Sequence, residues 1–288
     1  MIDLHIHTDN SDGEFNVVDI LKIAQEKELK YISLTDHDNI NVYNQLNDIE
    51  ISNFYKGEII SGVELQCKYK DIIIEVLGYK IDIDKMKKTK IIREGLVHST
   101  IEGETERLNY IKTVCNKLNI KYDENIKINK PNDMANDVLL DNIITYSENN
   151  NTLIELGITN RTTFYRNHYI NYKSPFFIDM TTGKPDFIDA VQTIKNCGGI
   201  CFLAHPVEYI CEDYKKLLDE IISLNKLDGI ECVQKKHSKE QIEYLLEYCE
   251  RNKLLKSGGS DFHRLADCMG HGNQGTYPIN DSLVLEWL

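Results

Sequence analysis

The 288-residue chain carries a formal net charge of −13, with 41% hydrophobic and 27% charged residues. This composition is typical of globular proteins that bury a substantial core, and the negative charge argues against an extended face that binds long nucleic acids. No apolar run approaches the ~18 residues of a membrane span, and Met1 leads directly into a predicted strand without a secretion signal. We therefore expect a cytoplasmic protein without a membrane partner.

The eight cysteines are scattered along the chain, and none of them forms a C-x-x-C pair. A zinc ribbon or a thioredoxin-type redox pair is therefore not indicated. Cys201 and Cys249 lie in apolar segments, and we expect such cysteines to be core residues of a reduced protein.

The first strand is predicted at residues 2–7, where apolar and polar side chains alternate with period 2. This alternation places His5 and His7 on the same face, where one cation can contact both. On its own, such a pair fits an edge strand with two solvated histidines about as well as it fits a metal site. Matching ligands at the ends of other strands would decide between these interpretations.

The following segment alternates helix and strand signals. Asn16 resembles an N-cap, and an apolar face at helical spacing follows it. Strands are predicted at residues 31–36, 58–64 and 71–78, whereas the polar, asparagine-rich stretch after residue 38 gives only a weak helix signal. This order is typical of βα units that form a mostly parallel sheet or barrel.

The pattern changes between about residues 84 and 183, where few strand-like runs occur. Apolar residues such as Leu108, Ile111 and Cys115 recur at helical spacing between polar stretches. We expect an inserted, mainly helical cap subdomain at 84–183.

The βα rhythm returns at Pro185, which is expected at a helix N-terminus. Strands are predicted at 199–204, 228–233 and 257–263, and Ser238-x-x-Gln241 is a capping box that opens another helix. The seven strand candidates favour an α/β fold of the TIM-like barrel type, formed by 1–83 and 184–288, over an open doubly wound sheet.

Residues that can bind metals recur at the predicted strand ends. Because the carboxyl ends of parallel barrel strands open on one face, these side chains should converge there. So many matching strand ends favour a metal site over unrelated polar residues. The residues are His5, His7, His37, Glu64, Glu75, His205, Asp261 and His263.

The segments DLHIHTDNSDG, SLTDHDN, SGVEL, LAHP and GSDFH resemble, in order and spacing, the motifs of PHP (polymerase and histidinol phosphatase) phosphoesterases. The segment EVLGYKID also fits. The resemblance is greatest to the subgroup that hydrolyses nucleoside monophosphates and 3′,5′-bisphosphates, which includes 5′-nucleotidase and short-RNA 5′-exonuclease activities. It implies a distorted (β/α)7 barrel with a trinuclear cluster of manganese, zinc or iron.

The resemblance also implies a distribution of ligands over three metals, in which Glu64 bridges the first two. This mixture of nitrogen and oxygen ligands suits Mn, Fe or Zn and lacks the thiolates of a structural zinc site. The first metal would be held by His5, His7, Glu64 and Asp261, the second by Glu64, Glu75 and His205, and the third by Asp12, His37 and His263.

The expected reaction follows from charge, because a phosphomonoester dianion repels nucleophiles unless cations neutralise its oxygens. We expect a metal-bound hydroxide, held at the first site, to attack phosphorus in line while another metal stabilises the leaving oxygen. Asp36 and Asp38 either orient neighbouring ligands or cap the loop.

Two features depart from the family pattern. Most members of the subgroup have a histidine at the position of Glu75. Either Glu75 binds the second metal, which would then favour manganese or magnesium, or Glu75 is not a ligand and the second site is empty. The Gly-Arg-Pro-His run of the family is replaced by residues 129–133, where Lys130 would stand in for the arginine and Asn132 for the histidine.

The cap cations that could meet a phosphate are Lys173, Arg107, Lys130, Arg161 and Arg166, although each one alone is also typical of a solvated surface charge. Lys173 aligns best with a family lysine. Among the histidines outside the motifs, which are His98, His168, His237 and His271, only His168 is a candidate substrate contact.

The expected function is therefore hydrolysis of a small phosphomonoester, such as AMP or a 3′,5′-bisphosphonucleotide, with two or three divalent metal ions. Two alternatives stay open. One is an amidohydrolase-type metal hydrolase, which also begins with His-x-His, and the other is a non-catalytic metal-binding regulatory module. The sequence leaves the native metal, the substrate and the oligomeric state open.

Overall fold

The structure is a computed structural model that describes residues 1–93, 101–130, 133–181 and 183–288. Internal contacts divide it into two units, Met1–Gly95 with Lys184–Leu288 and Leu96–Gly183. We call the first the barrel unit and the second the inserted unit.

The seven strands of the main sheet hydrogen-bond in sequence order. They are β1 (Ile2–Ile6), β2 (Tyr31–Leu34), β3 (Glu58–Tyr69), β4 (Ile72–Tyr79), β5 (Ile200–Leu203), β6 (Gly229–Val233) and β7 (Leu255–Gly258). Beyond β7, Phe262 forms a parallel bridge with Ile6, and its amide donates to the carbonyl of His5 at 3.1 Å. The sheet is thereby nearly closed, which confirms the predicted distorted TIM-like barrel.

The barrel departs from the predicted βα pattern at β4, which pairs antiparallel with both β3 and β5. The expectation that this strand would continue the parallel series is therefore wrong. Only Lys70 and Asp71 separate β3 from β4, and Lys70 has φ of 53°. Such a short turn can join antiparallel strands, whereas a parallel crossover needs a dozen or more residues.

Helices connect most of the other barrel strands. Asn16 accepts from the amide of Asp19, and Ser238 and Gln241 form a reciprocal capping box, as predicted for both helix starts. The helices of the barrel unit are α1 (Val17–Glu26), α2 (Val42–Asn47), α3 (Ile83–Met86), α8 (Phe187–Asn196), α9 (Tyr214–Ser223) and α10 (Lys239–Asn252). A short ribbon of β8 (His271–Gly272) and β9 (Tyr277–Pro278) follows the barrel.

Both faces of β1 are buried. Ile2, Leu4 and Ile6 belong to the hydrophobic core, and the polar side chains of Asp3 and His5 are also 0% exposed. This burial is that of an interior barrel strand, so the alternative of an edge strand with solvated histidines is wrong.

The inserted unit has a hydrophobic core of its own, which includes Leu108, Ile111 and Cys115. Its described residues contain helices and no strand. The helices are α4 (Ile101–Lys117), α5 (Ala135–Ile143), α6 (Asn150–Glu155) and α7 (Arg161–Phe164), and α7 continues into a π-helical turn at Tyr165–Tyr169. The assignment of 84–183 to a cap stays a prediction, and Met86 and Ile92 pack in the core of the barrel unit. Among the described residues, no helix combines the length and apolar character that a membrane crossing requires.

Candidate metal centre

The metal-capable side chains lie at one end of the barrel because of how its strands run. His5 and His7 are at the end of β1, and His37 follows β2 and bridges to Glu64 in β3. Glu75 reaches the same end from the first half of β4, since that strand runs antiparallel to β3. The remaining donors follow β5 and β7, and they are His205, Asp261 and His263.

Glu64 is the centre of this arrangement and is fully buried. Its Oε2 lies 3.0 Å from His5 Nε2, 3.3 Å from His7 Nε2 and 3.1 Å from His37 Nδ1. Its Oε1 lies 3.1 Å from His205 Nε2. One carboxylate therefore faces four imidazoles, a geometry that suits a ligand shared between neighbouring cations.

Asp261 and Asp12 extend the cluster on either side of His7. Asp261 Oδ1 lies 3.3 Å from His7 Nε2 and 3.6 Å from His5 Nε2. Asp12 is more exposed, and its Oδ2 lies 3.2 Å from His263 Nε2 and 3.8 Å from His37 Nε2. Both carboxylates also share partners, because Asp12 Oδ1 lies 3.6 Å from His7 Nδ1 and Asp261 Oδ1 lies 3.4 Å from His263 Nδ1.

Glu75 belongs to the same cluster. Its Oε2 lies 3.2 Å from His205 Nε2, its Oε1 lies 3.8 Å from His37 Nδ1, and Oε1 accepts from Gln66 Nε2 at 2.9 Å. The position at which this sequence departs from the subgroup pattern therefore places a carboxylate among the imidazoles.

The described residues contain four groups of donor atoms that lie within 4.8 Å of one another. Several side chains belong to more than one group, so the groups form one continuous cluster. They are His7, Asp12, His37 and His263; His5, His7 and Asp261; His5, Glu64 and His205; and His37, Glu64 and Glu75.

Glu64 and Asp261 are held in their charged form. Burial raises the pKa of Glu64, but the charges of His5 and His37 outweigh it, so the pKa lies well below its usual range. The pKa of Asp261 is also lowered, because His263 and Lys235 outweigh the effect of burial.

The imidazoles respond in the opposite direction. Burial lowers the pKa of His205, but its hydrogen bond to Glu64 and the charge of Glu75 raise the pKa to about 10. Burial likewise opposes the effect of Asp12 on His263, whose pKa rises to about 9. Without cations, protons on His205 and His263 therefore supply positive charge next to the carboxylates.

Two buried ring nitrogens test whether this donor set fits a metal. Neither His7 Nε2 nor His37 Nδ1 makes a hydrogen bond to a described residue, although both atoms are buried and face Glu64. Imidazole nitrogens and carboxylate oxygens are ligands of Mn, Fe and Zn, and the four groups contain no cysteine. The residues present fit divalent cations.

Comparison with known families identifies the family to which this chain belongs. The sequence model of the PHP domain matches residues 3–271, which is most of the chain. The chain belongs to the PHP domain family. The match includes β1, on which His5 and His7 lie, and extends past Asp261 and His263.

Two curated relatives of this PHP domain cover nearly its whole length. A 5′-3′ exoribonuclease from Haemophilus influenzae is 25% identical over 268 residues, which are 91% of this chain and 89% of the relative. A 3′,5′-nucleoside bisphosphate phosphatase from Chromobacterium violaceum is 25% identical over 281 residues, 91% of this chain and 87% of the relative. A solved structure from C. violaceum, named as an amidohydrolase with bound sulfate and no metal, has a TM-score of 0.67 at 21% identity and covers 94% of this chain and 90% of its own. At that identity the likeness shows the fold alone.

The two acids beside His37 have separate partners. Asp36 is buried and accepts from the amide and hydroxyl of Thr8 and from the Ser11 hydroxyl, at 2.7–2.8 Å. Asp38 pairs with Lys184 at 2.9 Å. Asp36 thus fixes the loop that follows β1.

The predicted substrate cations all lie in the inserted unit. Arg107 pairs with Glu104, and Arg161 Nη1 lies 3.3 Å from Asp137 Oδ2, so both contact carboxylates of their own unit. The Lys173 ammonium lies 5.5 Å from the ring centre of Tyr172, next to it in sequence.

Lys130 is exposed, and the roles of all five cations, Arg166 included, as substrate contacts stay predictions. Asn132 and His98 lie outside the described residues. Both ring nitrogens of His168 are engaged within the unit, by Leu156 O at 2.8 Å and Ser174 Oγ at 3.0 Å.

Sequence reasoning missed Glu231 and Lys235, which support the cluster from β6 and the loop after it. Glu231 is fully buried and contacts His5, and Lys235 Nζ lies 3.6 Å from Asp261 Oδ2. A charged residue inside the apolar segment GIECV was the available signal, since an unpaired carboxylate is almost never fully buried.

Proposed function

We propose that this PHP domain is a metal-dependent phosphoesterase that hydrolyses a small phosphomonoester such as AMP or a 3′,5′-bisphosphonucleotide. The observation that carries the proposal is the clustering of four carboxylates with five imidazoles at one end of the barrel. The carboxylates would repel a phosphate dianion, so binding of such a substrate there requires cations between them.

Two or three divalent ions, of Mn, Zn or Fe, would be held by these side chains. When bound, they supply positive charge to the phosphate oxygens and lower the pKa of water. The proposed ligands are His5, His7, Glu64 and Asp261 for one ion, Glu64, Glu75 and His205 for a second, and Asp12, His37 and His263 for a third.

Neighbouring residues hold these ligands in place. Gln234 Nε2 donates to Asp261 Oδ2 at 3.2 Å, and Lys235 Nζ donates to the carbonyl of Asp261 at 2.5 Å. Asp261 has a φ of 50°, a backbone conformation that residues other than glycine rarely adopt. These contacts therefore stabilise a conformation that is otherwise unfavourable. The carboxylate is thereby directed toward His5 and His7.

A second candidate activity is 5′-exonucleolytic cleavage of short oligoribonucleotides, supported by the relative from Haemophilus influenzae that is named a 5′-3′ exoribonuclease. The net charge of −13 favours short substrates over long ones, because a longer polyanion meets more of the repulsive surface field.

The test is a substrate panel with protein that has been loaded with Mn²⁺ and analysed for metal content. The panel contains p-nitrophenyl phosphate, AMP, a 3′,5′-bisphosphonucleotide, a 5′-phosphorylated RNA trimer, histidinol phosphate, a dipeptide and a lactone. We expect phosphate release from the nucleotides, and loss of that release in His5→Ala and Asp261→Ala.

Three outcomes would contradict the proposal. Absence of every hydrolysis product, including phosphate and the mononucleotides released from RNA, with intact metal content, would favour a non-catalytic metal-binding module. Turnover of only the dipeptide or lactone would favour an amidohydrolase. Full activity of His5→Ala or Asp261→Ala would refute the assignment of the site.

A further inference from the structure

Glu231 lies in the middle of β6, and its carboxylate joins two of the proposed metal ligands. Its Oε1 lies 2.9 Å from Nδ1 of His5, and its Oε2 accepts from the backbone amide of His205 at 2.9 Å. Glu231 and His5 are both 0% exposed. One carboxylate on β6 therefore contacts the end of β1 and the residue that follows β5.

A ring nitrogen of each histidine faces Glu64. His5 Nε2 lies 3.0 Å from Glu64 Oε2, and His205 Nε2 lies 3.1 Å from Glu64 Oε1. Glu231 thus lies behind His5 with respect to the cluster. Because Glu231 belongs to none of the four donor groups, it acts on the cluster through the residues it contacts.

We propose that Glu231 is a positioning residue that keeps a proton on Nδ1 of His5, so that Nε2 is the nitrogen available to a cation. The proposal rests on the metal-dependent function proposed above. A carboxylate offers only acceptors, so the ring nitrogen that faces Glu231 carries hydrogen, whereas at Nε2, which faces Glu64, a bound cation would take the place of a proton. A histidine that donates from one nitrogen in this way presents the lone pair of the other nitrogen to a metal.

The second contact makes the Glu231→Gln variant informative. The His205 amide is a donor and cannot accept, so the side-chain oxygen of a glutamine at this position would remain on that amide. The glutamine NH₂ group would then face His5 Nδ1 and donate to it. The ring proton would move to Nε2, and a cation would have to displace it in order to bind.

Asp228, which directly precedes β6, offers a matched control. Its Oδ2 accepts from the backbone amide of Cys201 at 2.9 Å, just as Glu231 accepts from His205, and its Oδ1 lies 3.1 Å from Lys195 Nζ. Asp228→Asn removes a carboxylate that links β6 to β5 but contacts no proposed ligand. It reports the effect of weakening the same pair of strands.

The experiment measures Mn²⁺ affinity by isothermal titration calorimetry in the wild-type protein, Glu231→Gln and Asp228→Asn. We expect Glu231→Gln to weaken binding by about 10–100-fold, which is the usual effect of losing a hydrogen bond behind a metal-binding histidine. We expect Asp228→Asn to bind as the wild type does. Equal affinity in Glu231→Gln and wild type, or equal losses in the two variants, would overturn the proposal.

Nitrogen-15 NMR of histidine-labelled protein, treated with chelator and then loaded with diamagnetic Zn²⁺, shows which ring nitrogen of His5 carries the proton. A purely structural role of Glu231 would not change that position. We expect a proton on Nδ1 of His5 in both wild-type samples and its absence in the chelator-treated Glu231→Gln variant. A wild-type Nδ1 without a proton would overturn the proposal even if the variant failed to fold. The chelator-treated sample also separates the two proposals, because a protein that bound no metal would refute the function and still report the ring proton.

Discussion

Glu64 shows how a single residue organises the centre. Four imidazoles approach its two oxygens within 3.0–3.3 Å, and every one of these rings except that of His37 is at least nine-tenths buried. In the absence of cations, such contacts between a carboxylate and imidazoles are stable only if some of the rings carry a proton. Proton and metal therefore compete for the same ring nitrogens.

This competition predicts that a rise in pH lowers the stability of the metal-free protein and increases the stabilisation that Mn²⁺ produces. The pKa values of His205 and His263 rise from about 6.5 to about 10 and about 9, so their protonated forms stabilise the metal-free fold fully below pH 6.5. That stability is lost as the pH rises toward 9–10. Metal binding needs neutral rings, so the increase in Tm produced by Mn²⁺ should grow over the same range.

Thermal unfolding between pH 6 and 9, with EDTA or with excess Mn²⁺, checks this expectation. Calorimetric titrations in buffers of different ionisation enthalpy count the protons that metal binding releases. A difference in Tm that shrinks with rising pH, or binding without proton release, would contradict the prediction.

Glu75 gives a second prediction at the scale of a residue. Its carboxylate lies 3.2 Å from His205 and 3.8 Å from His37, so we expect it to ligate a cation. Glu75→Ala should then lower the Mn²⁺ content by about one ion per chain, measured by elemental analysis after dialysis. Gln66→Ala is the control, because Gln66 contacts the Glu75 carboxylate without belonging to a donor group. Unchanged metal content in Glu75→Ala would show that Glu75 is not a ligand.

The residues of the cluster were largely predictable, but their supports were not. His5, His7 and Glu64 could be found from the sequence because each occupies a strand end, and a barrel brings strand ends together. Glu231 was marked only as a charged residue inside the apolar segment GIECV, and its role could not be predicted because that role depends on the distance between β6 and β1. Asp38 and Asp261 adopt φ values of 48° and 50°, a strain that only the assembled contacts can maintain.

At the scale of elements, the direction of β4 was the main property that alternation of apolar residues could not reveal. A parallel and an antiparallel strand have the same period-2 pattern, so direction depends on the length of the connection. The reversal matters for the site, since it brings the first half of β4, and with it Glu75, to the end where β3 places Glu64.

The close contact between the residue after β7 and β1 provides a prediction at the scale of elements. A Cβ on Gly259, next to the end of β7, would lie 2.2 Å from the Cβ and 2.5 Å from the amide nitrogen of His5. Gly259→Ala should therefore push β7 away from β1, with a loss of about 1–3 kcal/mol in unfolding free energy and weaker Mn²⁺ binding. Urea denaturation and calorimetric titration measure the two effects.

Gly157→Ala serves as the comparison for that substitution. Gly157 has φ of 70° and open space around it, so its replacement should cost only the backbone strain, about 1 kcal/mol, and leave Mn²⁺ affinity unchanged. Wild-type metal affinity in Gly259→Ala would show that the contact with His5 does not constrain the centre.

At the scale of the whole molecule, the chain has two hydrophobic cores that are separate in the described residues. One contains side chains of the barrel strands such as Leu4 and Val63, and the other contains helical residues such as Leu108 and Leu139. Helical spacing predicted the apolar face of α4, whose Leu108, Ile111 and Cys115 lie in the second core.

Because the two cores are separate, we expect metal binding to stabilise only the barrel unit. The donor groups lie in the barrel unit, so Mn²⁺ should stabilise that unit by about 2.7 kcal/mol at a hundred times its Kd, a rise in Tm of about 5–10 °C. Differential scanning calorimetry should then show two transitions, of which EDTA lowers only one. Hydrogen exchange assigns them, because amides of β1 and β3 should gain protection with Mn²⁺ while amides of α4 and α5 should not. A single transition that EDTA lowers as a whole would instead mean that the two cores unfold as one cooperative unit, and that the inserted helices depend on the metal centre for their stability.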